Sequence, residues 1–247
     1  MKKAVKLFLL TLVVACGVLL GSKTVVADDK PLIVGTNAEY PPFEYIENNE
    51  VSGFDADLIK LVAERARFTY KWDNREFKGL IPALQTKTID IAIAGMSITE
   101  ERAKNVDFSI PYLASPAAIL TNTINPIKSI DPKDLEGKTY GAELGTTKEA
   151  VAKKIKDSKV VSYDSNTAAL MALIAGKVDA IVMDDSVAKE YYANNKTTTI
   201  YVGALQGEDK AIAVTKGNKE LLDKINVALK SLLDDGTVQK LRDKYGI

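Results

Sequence analysis

Along residues 32–214, short β-branched runs alternate with segments whose apolar residues recur every three or four positions, and this alternation limits the fold more than any other feature. The runs are Leu32 to Thr36, Thr69 to Trp72, Ile89 to Ala94, Thr139 to Ala142, Val178 to Met183 and Ala211 to Val214. Between them lie amphipathic segments at Asp57 to Glu64, Leu80 to Leu84 and Thr167 to Ala175, with a further one at Leu221 to Leu233. A strand that must be followed by a helix before the next strand is joined to it by a crossover, which sets neighbouring strands parallel and covers the sheet with helices. The chain is therefore read as α/β. Helix-end signals agree: Thr99 stands before Glu100 and Glu101, Asp164 to Asn166 precede an alanine-rich helix, and Gly176 follows it. The stretch Asn122 to Lys138, rich in Asn, Pro, Asp and Lys, breaks the rhythm and reads as the entry to a second compact unit. The last two helices have no strands of their own and are expected to pack back on the first unit.

The N-terminus carries an address. Lys2, Lys3 and Lys6 precede an apolar run from Leu7 to Leu20, too short for a membrane span of ~20 residues, and Val25-Val26-Ala27 then leads into Asp28-Asp29-Lys30. This is the layout of a signal peptide over residues 1–27, with cleavage expected after Ala27. A second reading takes Val13-Val14-Ala15-Cys16-Gly17 as a lipoprotein box with Cys16 lipidated, against which stand the apolar Val18, Leu19 and Leu20. Either way the mature protein lies outside the cytoplasm, in the periplasm or at the cell surface. Removing residues 1–27 takes away Lys2, Lys3, Lys6 and Lys23 and turns 33 positive against 33 negative side chains into 29 against 33. A balance on the acidic side points away from nucleic acid. The mature chain has neither cysteine nor histidine, which excludes disulfides, the usual zinc sites and Ser-His or Cys-His nucleophiles. Neither a metal nor a cofactor is expected.

Several strings along the chain resemble one family. They are Gly35-Thr36-Asn37-Ala38-Glu39-Tyr40-Pro41-Pro42-Phe43-Glu44-Tyr45, Gly53-Phe54-Asp55-Ala56-Asp57-Leu58, Leu80 to Gln85, Ala94 to Arg102, Val106 to Ser109, Leu144-Gly145-Thr146-Thr147, Val178 to Ile181 and Asp235-Gly236-Thr237. In this order they are similar to the polar amino-acid-binding proteins of bacterial ABC importers, the family 3 extracellular solute-binding proteins of type 2 periplasmic-binding-protein fold. The resemblance implies two βα lobes joined by two hinge strands: residues 28–114 as the first part of lobe 1, 115–209 as lobe 2, and 210–247 as the return to lobe 1. It implies a monomer that captures a free L-amino acid by hinge closure and passes it to a membrane permease.

A free amino acid offers a carboxylate and an ammonium on one carbon, so a dry site must supply a cation, an anion and neutral hydrogen bonds. By resemblance, Arg102 takes the carboxylate; its planar fork suits two oxygens, and the alternative is a surface arginine paired with Glu100 or Asp107. Gly95 and Ser97 would add a carbonyl and a hydroxyl. From the other lobe Thr147 would present N–H and hydroxyl, or act as a plain helix cap. Asp184 would hold the ammonium, with Asp185 competing for the role or else capping the next helix. Tyr40 and Phe77 would stack on the ligand's side chain, although Phe77 could instead be core. Asn37 and Glu143 would face its distal end, where relatives that bind glutamine carry aspartate and lysine, and Glu143 could instead point to solvent. Lys210-Ala211 departs from the Tyr-Gly common in the second hinge. If Glu143 faces the cleft it disfavours a ligand carboxylate and favours arginine, lysine or ornithine, with glutamine next. The same fold also hosts cyclohexadienyl and arogenate dehydratases, so an enzyme is the first alternative, and a ligand-sensing receptor domain is the second.

Overall fold

A computed structural model describes residues 30–247, so the leader, Cys16 and Ala27 lie outside the described residues. The first lobe opens with β1 (Leu32–Thr36), a short meander of β2 (Glu39–Tyr40), β3 (Glu44–Glu47) and β4 (Glu50–Ser52), and helix α1 (Phe54–Ala66). It continues through β5 (Tyr70–Asn74), a single 3₁₀ turn at Phe77–Gly79, α2 (Leu80–Gln85), β6 (Ile91–Ala92), α3 (Glu100–Ala103) and β7 (Val106–Phe108). The chain crosses on β8 (Leu113–Asn122) and builds the second lobe from α4 (Pro132–Leu135), β9 (Thr139–Glu143), α5 (Thr147–Lys154), β10 (Lys159–Tyr163), α6 (Asn166–Ile174), β11 (Ala180–Asp184) and α7 (Asp185–Asn194). It returns on β12 (Thr199–Lys210) to β13 (Ala213–Thr215), α8 (Lys219–Asp234) and α9 (Thr237–Tyr245).

The two lobes are built on one plan. The first sheet has the order β5-β1-β6-β13-β7 and the second β10-β9-β11-β8-β12, with β1 parallel to β5 and β6, and β9 parallel to β10 and β11. In each sheet the first strand after entry therefore has a parallel neighbour on either side, and the loops leaving those strands open a crevice at their carboxyl ends. Both crevices face each other.

The hinge strands β8 and β12 pair antiparallel from Leu113 opposite Lys210 to Asn122 opposite Thr199. Their sequences hide this. Pro116 lacks a donor for a ladder, yet it is accommodated opposite Gly207 beside a register shift, where the partner strand already bends. Any Cβ on Gly207 would stand 3.3 Å from the backbone nitrogen of Pro116. The passage between lobes is thus made in β8, and the stretch Asn122 to Lys138, expected as the entry to the second unit, is a loop with one helical turn inside it. Its Pro and Asp residues serve a local purpose: Asp131 caps α4, whose first residue is Pro132.

Helices α8 and α9 pack on α1. Leu221, Ile225, Ala228, Leu229 and Leu232 form the apolar stripe of α8, with Ile225, Leu229 and Leu232 fully buried. Among the described residues no helix is long and apolar enough to cross a membrane.

Truncating this stripe leaves a cavity that neighbouring side chains fill only in part. Ile225→Ala is expected to destabilise the protein by about 2–5 kcal/mol in urea unfolding, whereas Val227→Ala, at a position 73% exposed on the same helix, changes stability by less than about 0.5 kcal/mol.

Candidate functional site

The crevice between the lobes is lined by all nine residues expected from the sequence: Asn37, Tyr40, Phe77, Gly95, Ser97 and Arg102 from the first lobe, and Glu143, Thr147 and Asp184 from the second. They gather there because each follows the carboxyl end of a strand. Asn37 and Tyr40 come after β1, Phe77 after β5, and Gly95, Ser97 and Arg102 after β6. Glu143 ends β9, Thr147 begins the next helix, and Asp184 ends β11. The atom-free volume is about 360 Å3, of which only about 20 Å3 admits the centre of a water molecule.

Arg102 is set by a capped turn. The Thr99 hydroxyl accepts from the Arg102 backbone N–H at 3.1 Å, which holds the arginine in the first turn of α3 and turns its side chain inward. Its guanidinium is buried 5.1 Å over the Phe77 ring and donates to the carbonyls of Ser97 at 2.7 Å and, across the cleft, Gly145 at 3.0 Å. Neither Glu100 nor Asp107 pairs with it; Asp107 is taken by Lys216 at 2.7 Å. Two bonds leave three of the five guanidinium N–H groups for another acceptor.

Asp184 is 2% exposed and bonded from both lobes. Its Oδ2 accepts from the Tyr40 hydroxyl at 2.8 Å and from Lys210 Nζ at 2.9 Å, while Lys148 Nζ lies 2.8 Å from Oδ1, at an angle outside hydrogen-bond geometry. Burial alone would raise this carboxyl, but the two lysine charges overcome it and hold the pKa at about 2. Lys210 also donates to the Ser97 hydroxyl at 3.0 Å, and that hydroxyl stands 3.3 Å from the Thr147 hydroxyl. Beneath the cleft Asp55 accepts from the Gly95 N–H at 2.7 Å and from the Tyr112 hydroxyl at 3.1 Å. Burial pushes Asp55 up to about 6, and it raises the fully buried Glu44 well above the carboxylate range, again through burial first and the Asp55 charge second.

Glu143 is 4% exposed and lines the cavity. Its Oε2 accepts from the Asn166 side-chain amide, while Oε1 has no hydrogen-bond partner among the described residues. Burial, helped by the charges of Glu39 and Glu76 and opposed by the Asn166 bond, raises its pKa to about 8. Asn37 donates to the Arg75 carbonyl at 3.1 Å.

Two local expectations are corrected. The cap of α5 is Thr146, whose hydroxyl accepts from the Glu149 N–H; Thr147 is the first helical residue and gives its hydroxyl to Glu208 at 2.5 Å. Asp185 is likewise the first residue of α7 rather than its cap, and its carboxylate goes to Lys189 at 2.7 Å and the Tyr201 hydroxyl at 2.5 Å. Phe77 packs partly against the core and faces the cleft with the same ring. Lys148, Lys210, Glu44 and Asn166 also line the cavity and were not singled out as site residues. For Lys210 the departure from Tyr-Gly was a usable signal; Lys148 follows directly on Thr147, and nothing in its local sequence marks it.

The decisive comparison is with a family model, that of the bacterial extracellular solute-binding proteins, family 3, which matches residues 32–247. This chain belongs to that family. It is 35% identical over 222 residues to the arginine-binding extracellular protein ArtP of Bacillus subtilis (strain 168), covering 87% of this chain and 86% of that one. ABC transporter arginine-binding protein 1 of Escherichia coli (strain K12) is 37% identical over 221 residues, with 85% and 88% covered. Among solved structures, an ancestral arginine-binding protein bound to arginine is 43% identical with a TM-score of 0.82, covering 87% of this chain and 97% of that chain. These relatives are named as binding proteins, and the solved one shares the fold of this chain.

In this family member the raised carboxyl at Glu143 carries a cost in stability. A carboxyl of raised pKa favours folding only below its unfolded value, so its contribution is full below about 4.5 and is lost as pH rises toward 8. Glu143→Gln is therefore expected to be more stable than the wild type, by an amount near zero at pH 4. That margin should grow by about 1.4 kcal/mol for each pH unit up to about 8, as read from denaturant unfolding across that range.

Proposed function

We propose that this chain is exported by its N-terminal leader, cleaved after Ala27. It then captures a cationic amino acid, arginine, lysine or ornithine, and delivers it as a monomer to the permease of an ABC importer without reacting with it. The observation that carries this reading is Glu143 Oε1: a buried carboxyl oxygen without a partner, in the same cavity lining as Arg102. Burial keeps this carboxyl largely protonated near neutral pH, and a guanidinium or ammonium supplies both the donor and the charge that favour its ionised form. Arg102 then takes the ligand's carboxylate, and the Tyr40 and Phe77 rings flank its side chain. The arginine-binding relatives support the same choice. Glutamine is the second candidate, since its amide can donate to Glu143 without charge.

Closure would turn about the hinge pair where Ala114 faces Asp209, consistent with lobe boundaries at 114/115 and 209/210. Both halves of the clamp meet only when the lobes are shut. The bonds that cross the cleft, Tyr40 to Asp184 and Arg102 to Gly145, are made in the shut arrangement.

Arginine, lysine and glutamine titrated by calorimetry into the wild type and Glu143→Gln test the ligand class: the cations are expected to bind best, and the variant to lose them selectively while keeping glutamine. Arg102→Met is expected to stay folded and to weaken binding roughly a hundred- to several-thousand-fold, because it leaves a ligand carboxylate buried and unpaired. A loss under tenfold would remove Arg102 from the carboxylate role. Prephenate or arogenate incubated with the purified protein should remain unchanged over hours, and product above the protein-free control would restore the dehydratase alternative.

A further inference from the structure

The carboxylate that would receive a ligand's α-ammonium already holds two cations of the chain itself. Lys148 Nζ stands 2.8 Å from Asp184 Oδ1 and Lys210 Nζ 2.9 Å from Oδ2, with the side chains of Lys148, Lys210 and Asp184 only 5%, 1% and 2% exposed. Both lysines line the cavity. Their placement is built in from two directions. Lys148 is carried on the first turn of α5, and Lys210 is the last residue of hinge strand β12, bridged to Ser97. Each amino group has further partners: Lys210 donates to the Ser97 hydroxyl at 3.0 Å, and Lys148 lies 3.2 Å from Glu208 Oε2 and 3.3 Å from the Thr147 hydroxyl.

Around the head of the cleft Arg102, Lys148 and Lys210 stand among the acidic groups Asp184, Glu208 and, beneath them, Asp55 and Glu44, and it is Asp184 that both lysine amino groups approach. A zwitterionic head brings a third ammonium to one carboxylate, where like charges in a dry site repel. Lys210 feels this crowding already: burial, with the Lys148 charge adding to it, lowers its pKa to about 8 even though Asp184 opposes the change. Lys210 Nζ makes two bonds with three N–H groups, so one is left for an acceptor at the ligand's α-carbon.

We propose that Lys148 and Lys210 are specificity-determining residues that stand in for the ligand's α-ammonium, so that this chain recognises ω-cationic carboxylic acids whose α-carbon bears hydrogen, hydroxyl or oxo with affinity above, or within tenfold of, that for the corresponding α-amino acids. This rests on the cationic reading of Glu143 above and narrows it: carboxylate and distal cation are the recognised groups, and the α-amino group is not.

The test compares arginine with 5-guanidinopentanoate, which differs from it only by a hydrogen in place of the α-ammonium, by calorimetry on the wild-type protein at pH 7. The expected result is that 5-guanidinopentanoate binds as tightly as arginine or within tenfold of it. Arginine binding more than tenfold tighter would overturn the proposal while leaving the cationic reading in place. If neither compound binds, the cationic reading has failed instead. Glutamine compared with 5-amino-5-oxopentanoate then asks the same question of the α-substituent, with the same tenfold criterion deciding it. Lys148→Gln and Lys210→Met are each expected to shift the ratio at least tenfold toward the α-amino acid, and a folded variant with the wild-type ratio would overturn the assignment of that lysine. The wild-type comparison decides the proposal even if Lys210→Met does not fold.

Discussion

Asp184 is a fully desolvated carboxylate at the end of a central strand, and much of the cleft is arranged around satisfying it. Taken out of water alone, such a group would protonate rather than stay charged. Here Tyr40 comes from the first lobe, Lys148 from the helix after β9 and Lys210 from the end of the second hinge strand, and together they keep it ionised. Of these contacts, Tyr40 to Asp184 joins the two lobes and Lys210 ties the hinge strand to the same carboxylate, while Lys148 and Asp184 belong to one lobe. The interlobe contact is thus a polar one seated beside an apolar core, which suits a joint that must also open.

The cleft does not satisfy all of its groups equally. Glu143 is buried with one oxygen unbonded, Glu44 and Asp55 crowd each other beneath the floor, and Lys210 is held next to Lys148. Unsatisfied or crowded polar groups cost stability, and a site that keeps them is prepared for a partner that relieves the cost. The unmet needs differ: Glu143 has a free oxygen, whereas Asp184 already holds two lysine amino groups.

The alternation of β-branched runs and amphipathic segments located every helix of five residues or more in the first lobe, and the final helices, because a helix that covers a sheet must show a stripe in its own sequence. Strand Ile89 to Ala94 was seen but is paired only at Ile91–Ala92, since the ladder ends where the chain turns into the cleft. The hinge strands were not legible from periodicity, and only the family resemblance supplied them. Leu113–Asn122 contains Pro116 and several alanines, and Thr199–Lys210 contains two glycines and a polar end; their pairing depends on each other rather than on local preference.

What the sequence determined by itself was the α/β class, the family, and the nine residues that line the crevice, because strand ends and helix starts are local events and their loops carry recognisable strings. What only the tertiary structure decided was how those residues are charged and paired. Lys148 and Lys210 are separated in sequence by a whole lobe's worth of chain, and only folding brings both amino groups within 3 Å of the same carboxylate. Whether Glu143 met solvent or the cleft was settled in the same way, by the neighbours that bury it. Protonation and pairing depend on distance and desolvation, and neither is a property of a residue's position along the chain.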